Sequence, residues 1–475
     1  MAALSPLNKL MPRGYVRQMF CFPSTHADVV ETLKRGLAGV INDIPYLLSG
    51  IVISKDQKRV SLSDPYQAPE DLFYEQDLSD IIDYAATKAQ NFPPSAFTAQ
   101  GIIPPDTQPP FPNPAPVFRA TVSLVKGGFI LCVAIHHCIT DITGFGALLK
   151  IWAAHCRTGA STVAGFNQSW LNRSALIEEL GTHNTRAAPT SIPKLLHIRG
   201  PDDYVRLAGP ISSPTDLVTG IFFFPQAKLQ GLKNIVNKHI ASQGSPGWVS
   251  SGDILTALLW SAILVAEQQE PANSEANPAA KQNGANTIGF PVNFRSRLNP
   301  PLPSDYLGAA FIMTAATVPR ADLISFATGA THCGDYAPLD PSSTSELAAI
   351  ASTIRASLRG VDEKSVRDVL TYLAIAPSDH PPIILGPRHD GISIVSWADE
   401  GVFELHWGDA IGKCEAVRLP KLAYRRYPIV LPRIPSGVND NGGGLEVIVS
   451  FDRQVFLKFE QSWPIKQFAT LRCHS

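Results

Sequence analysis

At 475 residues the chain is long for one hydrophobic core, and 45% hydrophobic against 17% charged residues supplies apolar material for two, which excludes a disordered protein. A formal net charge of -1, with no basic stripe, removes any case for bulk attraction to nucleic acid or to an anionic membrane surface. Seven scattered cysteines without a Cys-x-x-Cys pair fit reduced thiols in a cytoplasmic protein, and no apolar run approaches the roughly 18 residues needed to span a bilayer.

The first residues lack a basic lead-in and a long apolar stretch, so no secretory signal is expected. Phe118 to Leu124 reads as a strand, and the unbroken apolar run Phe129 to Ile135 as a buried one. Directly after it come His136, His137, Cys138 and Asp141; from Thr143 onward Phe145, Leu148, Leu149 and Trp152 follow helical spacing. A histidine at such a junction is held by a rigid element and can face a cavity. Pro189, Pro193, Pro201, Pro210 and Pro214 break every candidate helix from Thr185 to Asp216, which reads as a crossover. The expected division is a first lobe over 1–190, a linker over 191–216 and a second lobe over 217–475.

A helix is predicted from Asp253 to Glu267, capped by Ser250, Ser251 or Asp253, with N-terminal amides that suit an anion. Gln268 to Asn286 carries almost no large apolar residue and reads as a surface loop. Ser343 to Leu358 is a second helix candidate. Gly442, Gly443 and Gly444 precede alternating Leu445, Val447, Val449 and Phe451, a turn followed by a half-buried strand. Without strict strand-helix alternation or a fixed repeat, the class is α+β, with mixed sheets covered by helices.

Several common sites fail on spacing. Gly408 to Cys414 has one residue too few between its glycines for a phosphate loop and ends in Cys; Gly144-Phe145-Gly146 lacks the third glycine of a dinucleotide fingerprint, where Leu149 stands; no Gly-x-Ser-x-Gly occurs. The His136, His137 and Asp141 cluster can supply a general base whose loop the carboxylate fixes. All three side chains are also metal ligands, but no companion His or Cys cluster at ligand spacing appears elsewhere in the sequence. Cys138 beside the histidines leaves a Cys-His nucleophile open, which needs the sulfur aimed at the ring.

Four segments in order carry a family resemblance: Leu4-Ser5-Pro6-Leu7 with Met11-Pro12-Arg13, the His-His-x-x-x-Asp run, Asn293 to Pro303 with Tyr306-Leu307-Gly308, and Glu404-Leu405-His406-Trp407-Gly408. Together they resemble the BAHD acyltransferases, especially the fungal branch that includes the trichothecene O-acetyltransferases. Glu404 stands where that family has Asp, His406 where glycine is usual, and Ile142 where glycine commonly follows the aspartate. The resemblance implies two similar-sized lobes of the chloramphenicol-acetyltransferase-like kind, a tunnel between them, and a segment around 400–420 returning toward the first lobe. It implies a monomer with no permanently bound cofactor and no metal. Acyl-CoA, acetyl-CoA by default, would be the cosubstrate, and a small-molecule alcohol such as a fungal terpenoid or alkaloid the acceptor.

By the same resemblance His137 is the general base, and Asp141 is structural, paired with Arg295 or Arg297. Gly408 supports the fold nearby. Trp407 is read either as a donor to the oxyanion or as core packing, and Ser250 and Ser251 as weak contacts for CoA phosphates. Peptide-synthetase condensation domains share His-His-x-x-x-Asp, but Arg295 to Pro303 separates this chain from them. A binding or substrate-shaping protein on the same fold is the remaining alternative, against which the retention of both His137 and Asp141 speaks.

Overall fold

The computed structural model describes residues 4–55, 59–98, 101–159, 166–176, 191–198, 217–268, 284–329, 339–375, 383–386, 391–420, 422, 424–437 and 442–475. The structure is α+β and two-lobed. Its first five-stranded sheet runs Ala416–Arg418, Tyr15–Phe22, Gly128–His136, Phe118–Val125 and Phe73–Asp77. Gly128–His136 is central and pairs antiparallel on both sides, which explains its continuous apolar run: both faces are covered. Phe129, Leu131, Val133 and Ile135 enter the main core on one face, and Ile130 and Cys132 a smaller cluster on the other.

The helices Val29–Asp43 and Ile142–Thr158 cover the first face. They approach closely because Gly36 and Gly39 lack side chains; a Cβ there would strike the Cys156 sulfur and the His155 ring. His155 Nε2 lies 2.8 Å from Asp43 Oδ2 at this contact.

In the second lobe one five-stranded sheet runs Val395–Ser396, Ile429–Val430, Gly444–Asp452, Leu217–Pro225 and Thr470–His474. A three-stranded sheet runs Phe311–Pro319, Ala285–Asn293 and Ile392–Ser393. The segment 392–396 joins the two: Ile392–Ser393 lies parallel to Ala285–Asn293, and Val395–Ser396 parallel to Ile429–Val430. Helices Ser251–Glu267 and Pro341–Arg359 build the second core against these strands.

The predicted helices over Asp253 to Glu267 and Ser343 to Leu358 thus form, each starting two residues earlier. The predicted loop from Gln268 to Asn286 is shorter at its end, because Ala285 and Asn286 already pair with Pro319 and Val318; residues 269–283 lie outside the described residues. Of the crossover from Thr185 to Asp216 and of the linker 191–216, residues 185–190 and 199–216 lie outside them too. Leu196–Ile198 is a short strand paired with Ile383–Leu385. Among the described residues no helix is long and apolar enough to cross a membrane.

A buried ionic cluster holds the sheets of the two lobes together. Arg418, in the edge strand of the first sheet, donates from Nη1 to Glu446 Oε2 at 2.7 Å, and Glu446 belongs to the second lobe's Gly444–Asp452. Arg472 lies 3.1 Å from the same carboxylate, and Arg418 also donates to the carbonyls of Phe92 and Asn91 at 2.9 and 2.8 Å. Both partners of the central pair are 2% exposed. Glu446→Gln leaves two enclosed guanidiniums without a counter-charge and should cost about 3–5 kcal/mol. A denaturation midpoint equal to that of the parent protein would refute the lock.

Candidate active site

The strand Gly128–His136 ends opposite Tyr15, and the next residues turn sharply: Ile139 N–H donates to the His136 carbonyl at 2.9 Å. Every exit from this turn is tied down. His137 N–H donates to the Gly14 carbonyl at 2.7 Å, and Asn8 Nδ2 donates to the carbonyls of Cys138 and Ile139 at 2.9 and 3.1 Å. The segment Leu4 to Arg13 therefore serves as a brace for the histidine loop.

The two histidines have different surroundings. His136 is fully buried, edge-on to the Tyr15 ring at 5.0 Å, and its Nδ1 accepts from Cys138 N–H at 3.2 Å. Burial pushes its pKa down to about 3, so this ring stays neutral. His137 is surrounded by protein yet keeps accessible surface. Its Nδ1 is enclosed, with no well-aligned hydrogen bond but with the His137 and Thr140 carbonyls nearby, whereas Nε2 is not enclosed. Burial lowers its pKa below the ordinary imidazole value, partly offset by its own carbonyl, Asp141 and the Thr140 carbonyl. Its ring lies 6.2 Å from Phe311, the first residue of Phe311–Pro319, so it faces the second half of the chain.

Asp141 caps the helix Ile142–Thr158, accepting from Gly144 N–H at 2.9 Å. The same carboxylate takes both terminal nitrogens of Arg295, Nη1 at 2.9 Å on Oδ2 and Nη2 at 2.8 Å on Oδ1, and the Ala310 N–H at 2.8 Å. Arg295 Nη2 also donates to the carbonyls of Tyr306 and Gly308, each at 2.8 Å. Gly144 is required here, since a Cβ would come 2.9 Å from the Leu307 carbonyl oxygen. Ile142 opens the helix with a negative φ, so the loop closes without a glycine at that position.

Arg297 is elsewhere: its Nη1 donates to the Leu358 carbonyl at 2.6 Å and to that of Val361, closing the end of Pro341–Arg359. With Asp141 occupied by four N–H donors and His136 Nδ1 by one, the His-His-Asp trio does not converge as a ligand set. Cys138 Sγ is turned to the carbonyls of Met11 and Pro12, at 3.8 and 3.9 Å, and burial raises its pKa to about 12. That thiol is no nucleophile.

Trp407 is not brought to His137. It is 1% exposed and packs edge-on to Trp152 at 5.5 Å and Phe22 at 6.0 Å. Phe22 ends the strand whose start, Tyr15, pairs with His136, and the seven steps between them at roughly 3.3 Å each put the two about 23 Å apart. Of its two sequence readings, core packing is the one the geometry supports, and the oxyanion role is set aside. Gly408 has φ of 97° and lies over the Cys156 carbonyl, supporting the far end of the same helix. Ser250 caps Ser251–Glu267 and spends its hydroxyl on Asp253 in a reciprocal pair. Asp253 is in turn bound by Arg355, which lies 4.4 Å over exposed Trp248.

Sequence reasoning missed one acid. Glu400 Oε2 accepts from Gln18 Nε2 at 2.8 Å, while Oε1 is enclosed and unpartnered. Burial raises its pKa to about 8. Nothing in Trp397-Ala398-Asp399-Glu400-Gly401 marks it as different from a surface loop.

A two-lobed α+β fold with a braced, accessible histidine and a helix-capping aspartate clamped by arginine fits the acyltransferases that the four sequence segments resemble. The profile of the Transferase family matches residues 2–333. An O-acetyltransferase of Aspergillus campestris, cpsE, is 29% identical over 383 residues, covering 76% of this chain and 70% of that protein; ptmV of Penicillium ochrochloron, also an O-acetyltransferase, is 24% identical over 457 residues, covering 90% and 89%. The crystal structure of F. graminearum TRI101 complexed with coenzyme A and deoxynivalenol superposes with a TM-score of 0.76 over 99% of each chain, at 18% identity. The chain belongs to the Transferase family, that of the BAHD acyltransferases.

Two outcomes follow from this geometry. Asp141→Asn keeps a good cap but turns an amide toward donors, and should cost about 3–5 kcal/mol of stability with lowered soluble yield; loss of turnover at an unchanged melting temperature would contradict that. Glu400, with its folded pKa of about 8 above the ordinary 4.5, binds a proton in the folded state that the unfolded chain has lost. Stability should therefore fall as pH rises from about 4.5 through 8. Glu400→Gln should remove that component; parallel melting-temperature curves for the two proteins would exclude it.

Proposed function

We propose that the protein is an acyl-CoA-dependent O-acyltransferase, with acetyl-CoA as donor and a hydroxyl of a fungal secondary metabolite as acceptor, and with His137 as general base. A thioester is already activated, because thiolate leaves far more readily than alkoxide. The chain then needs only to take the acceptor's proton. Neutral His137 accepts it at Nε2 as the hydroxyl oxygen attacks the thioester carbonyl; collapse of the tetrahedral intermediate breaks the carbon-sulfur bond, and the imidazolium returns the proton to the CoA sulfur. The observation that carries this reading is the accessible His137 ring opposite Phe311, on a loop fixed by Asp141 and Arg295.

Asp141 is assigned to holding that loop, since its carboxylate is fully engaged away from Nε2. The names of the relatives, O-acetyltransferases, and the coenzyme A in the TRI101 complex support the donor class. For the CoA phosphates the proposal keeps the start of Ser251–Glu267, with Ser250, Ser251 and the adjacent guanidinium of Arg359, 5.4 Å from the Trp248 ring. A monomeric cytoplasmic enzyme goes with this reading. Transfer is favoured over mere binding because a spectator histidine would need neither the brace nor the accessible edge.

General-base catalysis is worth roughly 10²- to 10⁴-fold. His137→Ala should lose at least about a hundredfold in acetyl-CoA-dependent turnover at an unchanged melting temperature; near-parental turnover would end the mechanism. Since burial lowers the His137 pKa below about 6.5, the base stays neutral as pH falls to that value. The kcat/KM profile should hold level from neutral pH down to about 6.5 and drop only below it; a midpoint above 7 would be inconsistent.

A further inference from the structure

The space in front of His137 can be followed residue by residue. Phe311, which faces the His137 ring, is the antiparallel partner of Asn293, and Asn293 Nδ2 donates to Thr143 Oγ1 at 3.2 Å. Thr143 and Gly146 share one face of the helix Ile142–Thr158, about 4.5 Å apart along its axis. Over Gly146 lies Glu400: a Cβ added to that glycine would come 2.8 Å from Glu400 Cγ. His137, Ile142, Thr143, Phe311 and Glu400 all keep partial exposure while sitting between elements of the two halves. They form one run of neighbours that leads from His137 to Glu400.

Along this run Glu400 is the misfit. Gln18, fully buried in the strand Tyr15–Phe22, fixes one carboxyl oxygen, and Gly146 makes room for the stem. That leaves Glu400 Oε1 and Gln18 Oε1 both enclosed with no donor. Buried polar atoms are almost always partnered, so two unmatched oxygens on a pair of hydrogen-bonded side chains, one of them on a carboxyl that keeps its proton at neutral pH, mark a place where a polar partner is supplied from outside the chain. The carboxyl's terminal torsion is soft enough to turn the free oxygen toward it.

We propose that Glu400 is a specificity-determining residue that receives a hydrogen bond from a second donor on the acceptor molecule, a hydroxyl or an amine distinct from the group acylated. The assignment rests on the transfer reading above for the word acceptor, but its test does not need turnover. Its elevated proton affinity suits the same role, because the neutral carboxyl bonds a hydroxyl, while an amine nitrogen takes the carboxyl proton, becoming the ammonium partner of the resulting carboxylate.

The experiment is equilibrium titration of the full chain with three matched probes: decalinol, decalindiol and aminodecalinol. The diol and the amino alcohol should bind the parent protein at least about tenfold more tightly than the mono-alcohol, as one hydrogen bond to a charged or buried carboxyl implies. Glu400→Leu should abolish both preferences. Glu400→Gln, which keeps an acceptor oxygen without a titratable proton, should retain the diol preference and lose the amine preference. CoA affinity should be unchanged in all three proteins, which separates the acceptor from the pantetheine arm as the source of the donor. Equal affinity for the three probes, including no binding of any, overturns the proposal, as does a preference that survives in Glu400→Leu or a loss of CoA affinity there. Parental turnover in His137→Ala would defeat the transfer reading and leave the binding preference to stand or fall on its own.

Discussion

The bidentate pair between Asp141 and Arg295 is the constraint on which the site depends. One carboxylate receives two guanidinium nitrogens and the N–H groups of Gly144 and Ala310, so it is saturated, and the three donor residues come from different local structures. Gly144 is the first turn of the helix after the histidine loop; Arg295 follows the strand Ala285–Asn293; Ala310 precedes Phe311. Fixing all of them to one buried group sets the distance between the histidine and the strand that faces it. Such a pair gains little over apolar packing in stability, but breaking it is costly, which is the profile of a registering device.

The second half of the chain does not simply dock on the first. Val292, Phe294, Leu298, Tyr306, Leu307 and Ile312 belong to the same core as Phe129 and Trp152, while Ala316 and Val318, farther along the last strand, belong to the other core. The pair of strands Ala285–Asn293 and Phe311–Pro319 thus spans from the site to the second core. At the opposite edge Ala416–Arg418 adds to the first sheet and Arg418 reaches Glu446. The lobes are therefore held together at two separate attachments, the shared strand pair and the ionic cluster of Arg418 and Glu446.

What could be read from the sequence was local. The apolar run before His136 and the helical spacing after Thr143 announce a strand and a helix because each pattern reports burial of its own element. Asp141 as a cap is equally local. Which arginine answers it is not: Arg295 and Arg297 are two residues apart on a short turn, so their side chains diverge, and only the fold decides that Arg297 closes Pro341–Arg359. Trp407 stayed open between two readings because a motif placed beside the site by a family pattern need not be close in space; its indole fills the far end of the sheet. Glu400 and Gln18 were invisible, since their meeting joins a strand near the start of the chain to a loop 382 positions later. Pairing at such separation leaves no mark in composition, spacing or period.

The choice between two adjacent histidines shows how little geometry is needed to separate a structural ring from a chemical one. Successive residues at a strand end point to opposite sides. His136 is thereby driven into the sheet against Tyr15, gives its Nδ1 to a backbone N–H, and has its basicity reduced until it titrates at about 3. A base that weak gains little from a proton lifted off an alcohol, whatever its position. His137 falls on the other side, toward Phe311, where the desolvation that lowers its pKa is opposed by its own carbonyl and by Asp141. It is neutral at neutral pH, yet still basic enough to hold a proton briefly. The carboxylate that locks the loop thus also tempers the burial of the ring, so one buried charge both positions the proposed base and limits how weak it becomes.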